Sequence, residues 1–95
     1  MPREIPRPFA YHWGSGQIVE EAAYTGPHHE AAVQLLEYED AEHAGAWSIR
    51  FCFYNPAGRF QRSPLVIGDG ELAGLRKALK RAPRLRKLLT KLAGA

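Results

Sequence analysis

The chain has 95 residues, of which 45% are hydrophobic and 24% are charged, a composition typical of one folded domain rather than of a disordered segment. No apolar run approaches the roughly 18 residues of a membrane span, and the N-terminus lacks the apolar stretch of a signal peptide, so we expect a cytoplasmic protein without a membrane partner. The single cysteine, Cys52, excludes an internal disulfide and a cysteine-based zinc site.

The net charge of +3 is unevenly divided along the chain. Residues 1–45 carry two basic and eight acidic residues, a net charge of −6, whereas residues 46–95 carry eleven basic and two acidic residues, a net charge of +9. This asymmetry favours a polyanionic partner for the C-terminal half. An equally good interpretation is that the two halves neutralise each other within the fold.

The N-terminal third predicts an arm and two strands. Residues 1–12 are proline-rich and lack periodicity, so we expect an irregular arm that precedes one domain at residues 13–95. The segment GQIVEEAAYT (16–25) predicts a strand that Gly26-Pro27 ends. Residues 28–40 alternate with a period of two but also have the composition of a helix. We favour a strand, because a hairpin with the following segment then closes through a short loop.

The segment AWSIRFCFYN (46–55) is the clearest strand. The apolar residues Trp47, Ile49, Phe51 and Phe53 lie on one face, and Ser48, Arg50, Cys52 and Tyr54 lie on the other. An aromatic stripe at this spacing is more often core, so we expect Phe51 to be buried and Phe53 and Tyr54, beside the turn, to be exposed. Asn55-Pro56-Ala57-Gly58 predicts a turn, and RFQRSPLVI (59–67) predicts a return strand with an edge position or a bulge at Pro64.

The C-terminal residues predict a helix in two parts. Asp69 is a plausible N-cap, and Leu72, Leu75 and Leu79 recur at helical spacing, so we expect them to cover the sheet. Pro83 interrupts the pattern, and we expect the helix to bend or restart there. The predicted fold is therefore α+β, with a four-stranded curved antiparallel sheet followed by a helix bent near Pro83.

The order FCFYNPAG, RFQRSPLVI and GDGELAGLRKAL resembles the small single-stranded nucleic-acid-binding domains of the positive cofactor four family of transcriptional coactivators and their PUR and Whirly relatives. The resemblance runs from about Val33 to Leu92. It implies a curved sheet, a helix packed across it and a symmetric dimer. It also places Phe53 where the family has a base-stacking aromatic and Arg62 near phosphate-contacting residues. The chain departs from the family in its acidic strand VQLLEYED and in a shorter link after the turn.

Binding of single strands needs positive charge for the phosphates and exposed aromatic rings for the bases. We predict that the charge comes from Arg50, Arg59, Arg62, Lys77 and Lys80, and that the bases stack on Phe53 and Tyr54. A second leucine run is surplus to one small core, and an exposed apolar stripe usually binds a partner. We therefore predict a homodimer that forms through Leu85, Leu88, Leu89 and Leu92.

The predicted function is binding of single-stranded DNA or RNA with low sequence specificity, in transcription or nucleic-acid maintenance. The alternative is a dimeric protein-interaction module that does not bind nucleic acid. The sequence predicts no enzyme, no cofactor and no metal: His28 and His29 would point to opposite faces of a strand, and GDGELAG lacks the lysine of a phosphate-binding loop. A helix lying on anionic lipid is a weaker interpretation, because the leucines are needed to cover the sheet.

Overall fold

The structure is a computed structural model and describes residues 3–61 and 65–94. Five strands form one antiparallel sheet in which each strand pairs with its neighbours in sequence. The strands are β1 (Arg7–Tyr11), β2 (Gly14–Thr25), β3 (Glu30–Tyr38), β4 (Trp47–Tyr54) and β5 (Leu65–Gly68). A 3-10 turn (Asp69–Glu71) leads into two helices, α1 (Leu72–Leu79) and α2 (Pro83–Ala93). The α+β class is confirmed, and the prediction of four strands is wrong.

The additional strand lies in the N-terminal arm that the sequence predicted to be irregular. β1 pairs with β2 from Arg7 opposite Ile18 to Tyr11 opposite Gly14. Pro8 is tolerated because β1 is an edge strand, where a residue without an amide hydrogen breaks no ladder on its free side. The ambiguous residues 28–40 contain β3, so the prediction of a strand is confirmed. Arg62 and Pro64 lie outside the described residues.

One face of the sheet is buried and the other is largely open. The buried face carries Phe9, Ile18, Ala32, Gln34, Leu36, Tyr38, Ser48, Arg50, Cys52 and Tyr54. The alternate residues form the open face, on which Ala31, Val33 and Leu35 lie directly opposite Phe53, Phe51 and Ile49. A bulge interrupts the pairing of β2 with β3 between Ile18 and Glu20, and such bulges bend the strand.

The expected orientation of β4 is wrong. The sequence predicted that Phe51 is buried, that Tyr54 is exposed and that Arg50 binds a ligand, but Arg50, Cys52 and Tyr54 are buried and Phe51 is only half-buried. A period of two defines two faces but does not say which one is covered. Burial of these polar side chains is tolerated because they hydrogen-bond to one another, which offsets part of the cost of removing them from water.

The helices do not cover the sheet as predicted. No residue of α1 or α2, both described throughout, is buried, and Leu72 and Leu75 of the first leucine run remain exposed. The chain restarts at Pro83, the first residue of α2, where a missing amide hydrogen costs nothing. Asp69 is not the helix cap: instead, the backbone amide of Gly68 donates to Glu71 Oε1 at 2.8 Å.

Candidate functional site

Two of the predicted ligand-binding side chains lie in a hydrogen-bond network on the buried face. Arg50 Nε donates to Gln34 Oε1 at 2.6 Å, and Gln34 Nε2 donates to the Tyr54 hydroxyl at 2.9 Å. Arg50 Nη1 also donates to the Tyr11 hydroxyl at 3.0 Å. Arg50 and Tyr54 are each only 6% exposed. The predicted exposure of Tyr54 is wrong, and neither side chain is accessible to a ligand in this conformation.

A carboxylate joins the same network from β2. Arg7 donates to both oxygens of Glu21, at 3.0 and 2.7 Å, and Gln34 Nε2 donates to Glu21 Oε2 at 2.6 Å. The hydrogen bonds from Arg7 hold the pKa of Glu21 below its usual value, although burial opposes them. Cys52 Sγ lies 3.4 Å from Gln34 Oε1, and burial raises the pKa of its thiol. A thiol in such a setting is a packing group and not a nucleophile.

Two exposed aromatic rings lie on the open face. Phe53 is 45% exposed, as the sequence predicted, and its ring centroid lies 5.2 Å from that of His29. Tyr24 is 75% exposed and lies in register with Ala31, which in turn lies opposite Phe53. Sequence reasoning missed Tyr24, because its place on this face depends on the register of β2 against β3 and on the bulge. Tyr24, Ala31 and Phe53 line one cavity of about 590 Å³, together with Val33, Phe51 and Leu92.

Arg59 lies in the connection after β4, whose turn confirms the prediction from Asn55-Pro56-Ala57-Gly58. The Asn55 side-chain oxygen accepts hydrogen bonds from the amides of Ala57 and Arg59, at 3.0 and 2.9 Å, and Gly58 has φ of 81°. A side-chain oxygen in this position is a common way to fix a turn. Arg59 is exposed at its edge. Arg62, the other predicted cation of this segment, lies outside the described residues.

Lys77 and Lys80 lie on α1 and immediately after it, and they line a shallow groove of about 770 Å³ with Leu72, Ala73 and Arg76. Eight of the 13 basic residues of the chain occur between residues 76 and 91, where no acidic residue occurs. The three ion pairs among the described residues join Arg3 to Glu30, Arg7 to Glu21 and His43 to Asp40. The helices therefore concentrate positive charge that these pairs do not neutralise.

The two ends of the sheet differ in charge. Because the sheet is a meander, the β2–β3 and β4–β5 connections lie at one end and the β3–β4 connection lies at the other. The first end carries Arg59 and the ion pair of Arg3 with Glu30, and the second carries the acidic segment 39–42. Near the acidic end, a 2.7 Å hydrogen bond with His43 lowers the pKa of Asp40. A polyanion therefore meets less repulsion at the end that carries Phe53.

The second leucine run is exposed along α2. Leu85, Leu88, Leu89 and Leu92 are 37% to 72% exposed, and the same helix carries four basic residues and no acidic one. The helix is therefore amphipathic, and among residues 3–61 and 65–94 no apolar surface packs against its leucines closely enough to bury them. The structure thus places the four predicted dimerisation residues on one accessible helix.

Comparisons with known proteins found no matching family model, no similar curated protein and no similar solved structure. Within residues 3–61 and 65–94, no group of three or more histidine, cysteine, aspartate or glutamate side chains is placed to hold a metal ion. The helices described are all too short or too polar to cross a membrane.

Proposed function

We propose that the protein binds single-stranded DNA or RNA with low sequence specificity, and that it acts by binding rather than by catalysis, as a cytoplasmic regulator of transcription or a nucleic-acid maintenance factor. The observation that carries the proposal is the exposed ring of Phe53 on an open sheet face that is bordered by α2. Bases stack on exposed aromatic rings whatever their sequence, while cations track the phosphates.

The charge for this function comes mainly from the helices. Arg50 is committed to Gln34 and Tyr11, which leaves Arg59 beside the sheet and Lys77 and Lys80 at α1 as accessible predicted cations. Arg62 remains a predicted contact. Clustered lysine and arginine side chains release counterions when they bind phosphates, so the affinity should fall steeply with salt.

The proposal is tested by fluorescence anisotropy with a labelled single strand of about 20 nucleotides and with the matching duplex. Both titrations are run at about 50 mM and about 200 mM salt. Preferential binding to the single strand, with log affinity falling linearly with log salt, supports the proposal. Absence of binding to either DNA or RNA strands at the lower salt concentration would overturn it.

The second candidate function is a protein-interaction module, and the exposed leucines of α2 favour it. A contiguous apolar surface on one helix more often binds a partner than stays exposed to water. We propose a homodimer through Leu85, Leu88, Leu89 and Leu92, which is compatible with either function. The two functions differ in the anisotropy experiment, because a module that binds only proteins shows no affinity for the labelled strand.

A further inference from the structure

We propose that Tyr24, Ala31 and Phe53 form a slot that holds one unpaired base between the two aromatic rings. This inference rests on the proposed binding of single strands and specifies where a base enters. The three residues lie side by side on three adjacent strands, since Tyr24 pairs with Ala31 and Ala31 pairs with Phe53. All three are on the open face and all three are exposed.

The spacing of the strands fits a base. Neighbouring strands are about 4.8 Å apart, so the backbones of Tyr24 and Phe53 are separated by about 9.6 Å. Stacked bases are about 3.4 Å apart, and a base between two rings therefore needs about 7 Å between the ring planes. Ala31 is the floor of the slot, and its methyl group is small enough to leave this space empty. A larger side chain at position 31 would fill it.

The surroundings of the slot favour a flat apolar ligand with a charged backbone. The slot opens into the cavity of about 590 Å³, and none of the described residues that line this cavity is charged. Volumes of this size are typical of clefts that bind small ligands. The ring of His29, which lies two residues before Ala31 in sequence, is 5.2 Å from that of Phe53.

Two of the residues that line the cavity lie close in sequence to exposed basic residues. Gln61 lines it from the connection after β4, two residues beyond the exposed Arg59, and Leu92 lines it from the last turn of α2, next to Lys91. Exposed long basic side chains at these positions suit the phosphates that flank a bound base. This charge complementarity distinguishes a nucleotide from a purely apolar occupant, such as a leucine side chain of a second copy.

The decisive variant is Ala31→Leu, which fills the slot and removes no aromatic ring and no charge. The matched control is Ala10→Leu, at an exposed position of the edge strand β1. The probe is a labelled oligo(dT) of about 20 nucleotides, and circular dichroism checks that each variant is folded. We expect Ala31→Leu to weaken binding about fivefold or more, the lower limit for loss of one base-stacking contact, and Ala10→Leu to bind as the unchanged protein does.

Tyr24 provides an independent test if Ala31→Leu does not fold. Tyr24 is 75% exposed, so Tyr24→Ala should leave the fold intact and weaken binding about fivefold or more, whereas Tyr24→Phe keeps the ring and should retain binding. A strand with one 2-aminopurine should lose fluorescence on binding to the unchanged protein, and less so on binding to Tyr24→Ala.

The outcomes separate this inference from the proposed function. If the unchanged protein binds oligo(dT) and the Ala31→Leu and Tyr24→Ala variants bind equally well, the slot is refuted and single-strand binding stands. If the unchanged protein binds neither oligo(dT) nor an RNA strand, both proposals fail. If Ala31→Leu lowers the molecular mass from that of a dimer to that of a monomer, a second copy of the chain occupies the cavity. That result also refutes the slot.

Discussion

The rings of Phe9 and Tyr38 meet edge to face with their centroids 5.2 Å apart, and both residues lie directly opposite Gly16 of the strand between them. A methyl group on Gly16 would collide with the carbonyl oxygen of Glu37 and lie 2.8 Å from the Cα atom of Tyr38. The absence of a side chain at this position therefore allows the backbone of β2 to approach that of β3 this closely beside the two rings.

We expect Gly16→Ala to lower the free energy of unfolding by about 1–3 kcal/mol or more, because the added methyl group meets backbone atoms that cannot move aside. The matched control is Gly74→Ala in α1, where nothing lies within 4 Å of the added group. This change should raise stability by about 1 kcal/mol through helix propensity. Urea denaturation followed by circular dichroism measures both, and equal stability of the two variants would contradict the prediction.

The sequence predicted the strands better than it predicted the sheet face that is covered. The alternation in β4 was evident, as was the strand character of residues 28–40, but the burial of Arg50 depends on Gln34 and Tyr11, which are 16 and 39 residues away. No local sequence pattern identifies hydrogen-bond partners that are this distant along the chain. The edge strand β1 was missed because prolines suggest irregular structure, although an edge tolerates them.

The candidate site was predicted only in part. Phe53 was correctly expected to be exposed, since it lies beside a turn that the sequence makes clear. Tyr24 was not recognised, because its alignment with Phe53 depends on two pairings and one bulge. The amphipathic pattern of the helices was also clear, but a pattern of leucines does not reveal whether the apolar surface that covers it belongs to the same chain.

Glu21 should make stability depend on pH. Its pKa is lower in the folded protein than its usual value of about 4.5, mainly because Arg7 donates hydrogen bonds to it. Its contribution is therefore fully present above about pH 4.5 and is lost as the pH falls through the folded-state pKa. Glu21→Gln should cost about 1.5–3 kcal/mol at pH 7, the range for hydrogen bonds to charged groups, and should remove this part of the acid dependence.

The control for this change is Glu20→Gln, at the neighbouring exposed position of β2. It should alter stability by less than about 0.5 kcal/mol, as surface substitutions usually do. Urea denaturation at several pH values between 3 and 7 compares the two variants. The same acid dependence in Glu21→Gln as in the unchanged protein would show that the pair with Arg7 does not stabilise the fold.

Leu89→Asp should convert the proposed dimer to monomers, because a carboxylate on the apolar stripe of α2 would be buried without a partner in the interface. Light scattering measures the molecular mass directly. Lys87→Asp is the control, since residues two positions apart lie about 200° apart around a helix and the second carboxylate faces away from Leu89. A dimer mass that persists in Leu89→Asp would place the interface elsewhere.

Arg50 and Arg59 should differ in what they contribute, although the sequence predicted the same role for both. Arg50 is buried and donates to Gln34 and Tyr11, so Arg50→Ala should cost about 1.5–3 kcal/mol of stability. Arg59 is exposed, so Arg59→Ala should leave stability within about 0.5 kcal/mol. It should instead weaken single-strand binding and reduce the salt slope by about 0.7, the value for one phosphate contact.

Denaturation and anisotropy on both variants test the distinction. An unchanged salt slope in Arg59→Ala would remove Arg59 from the interface and leave the helix cations as the main source of charge.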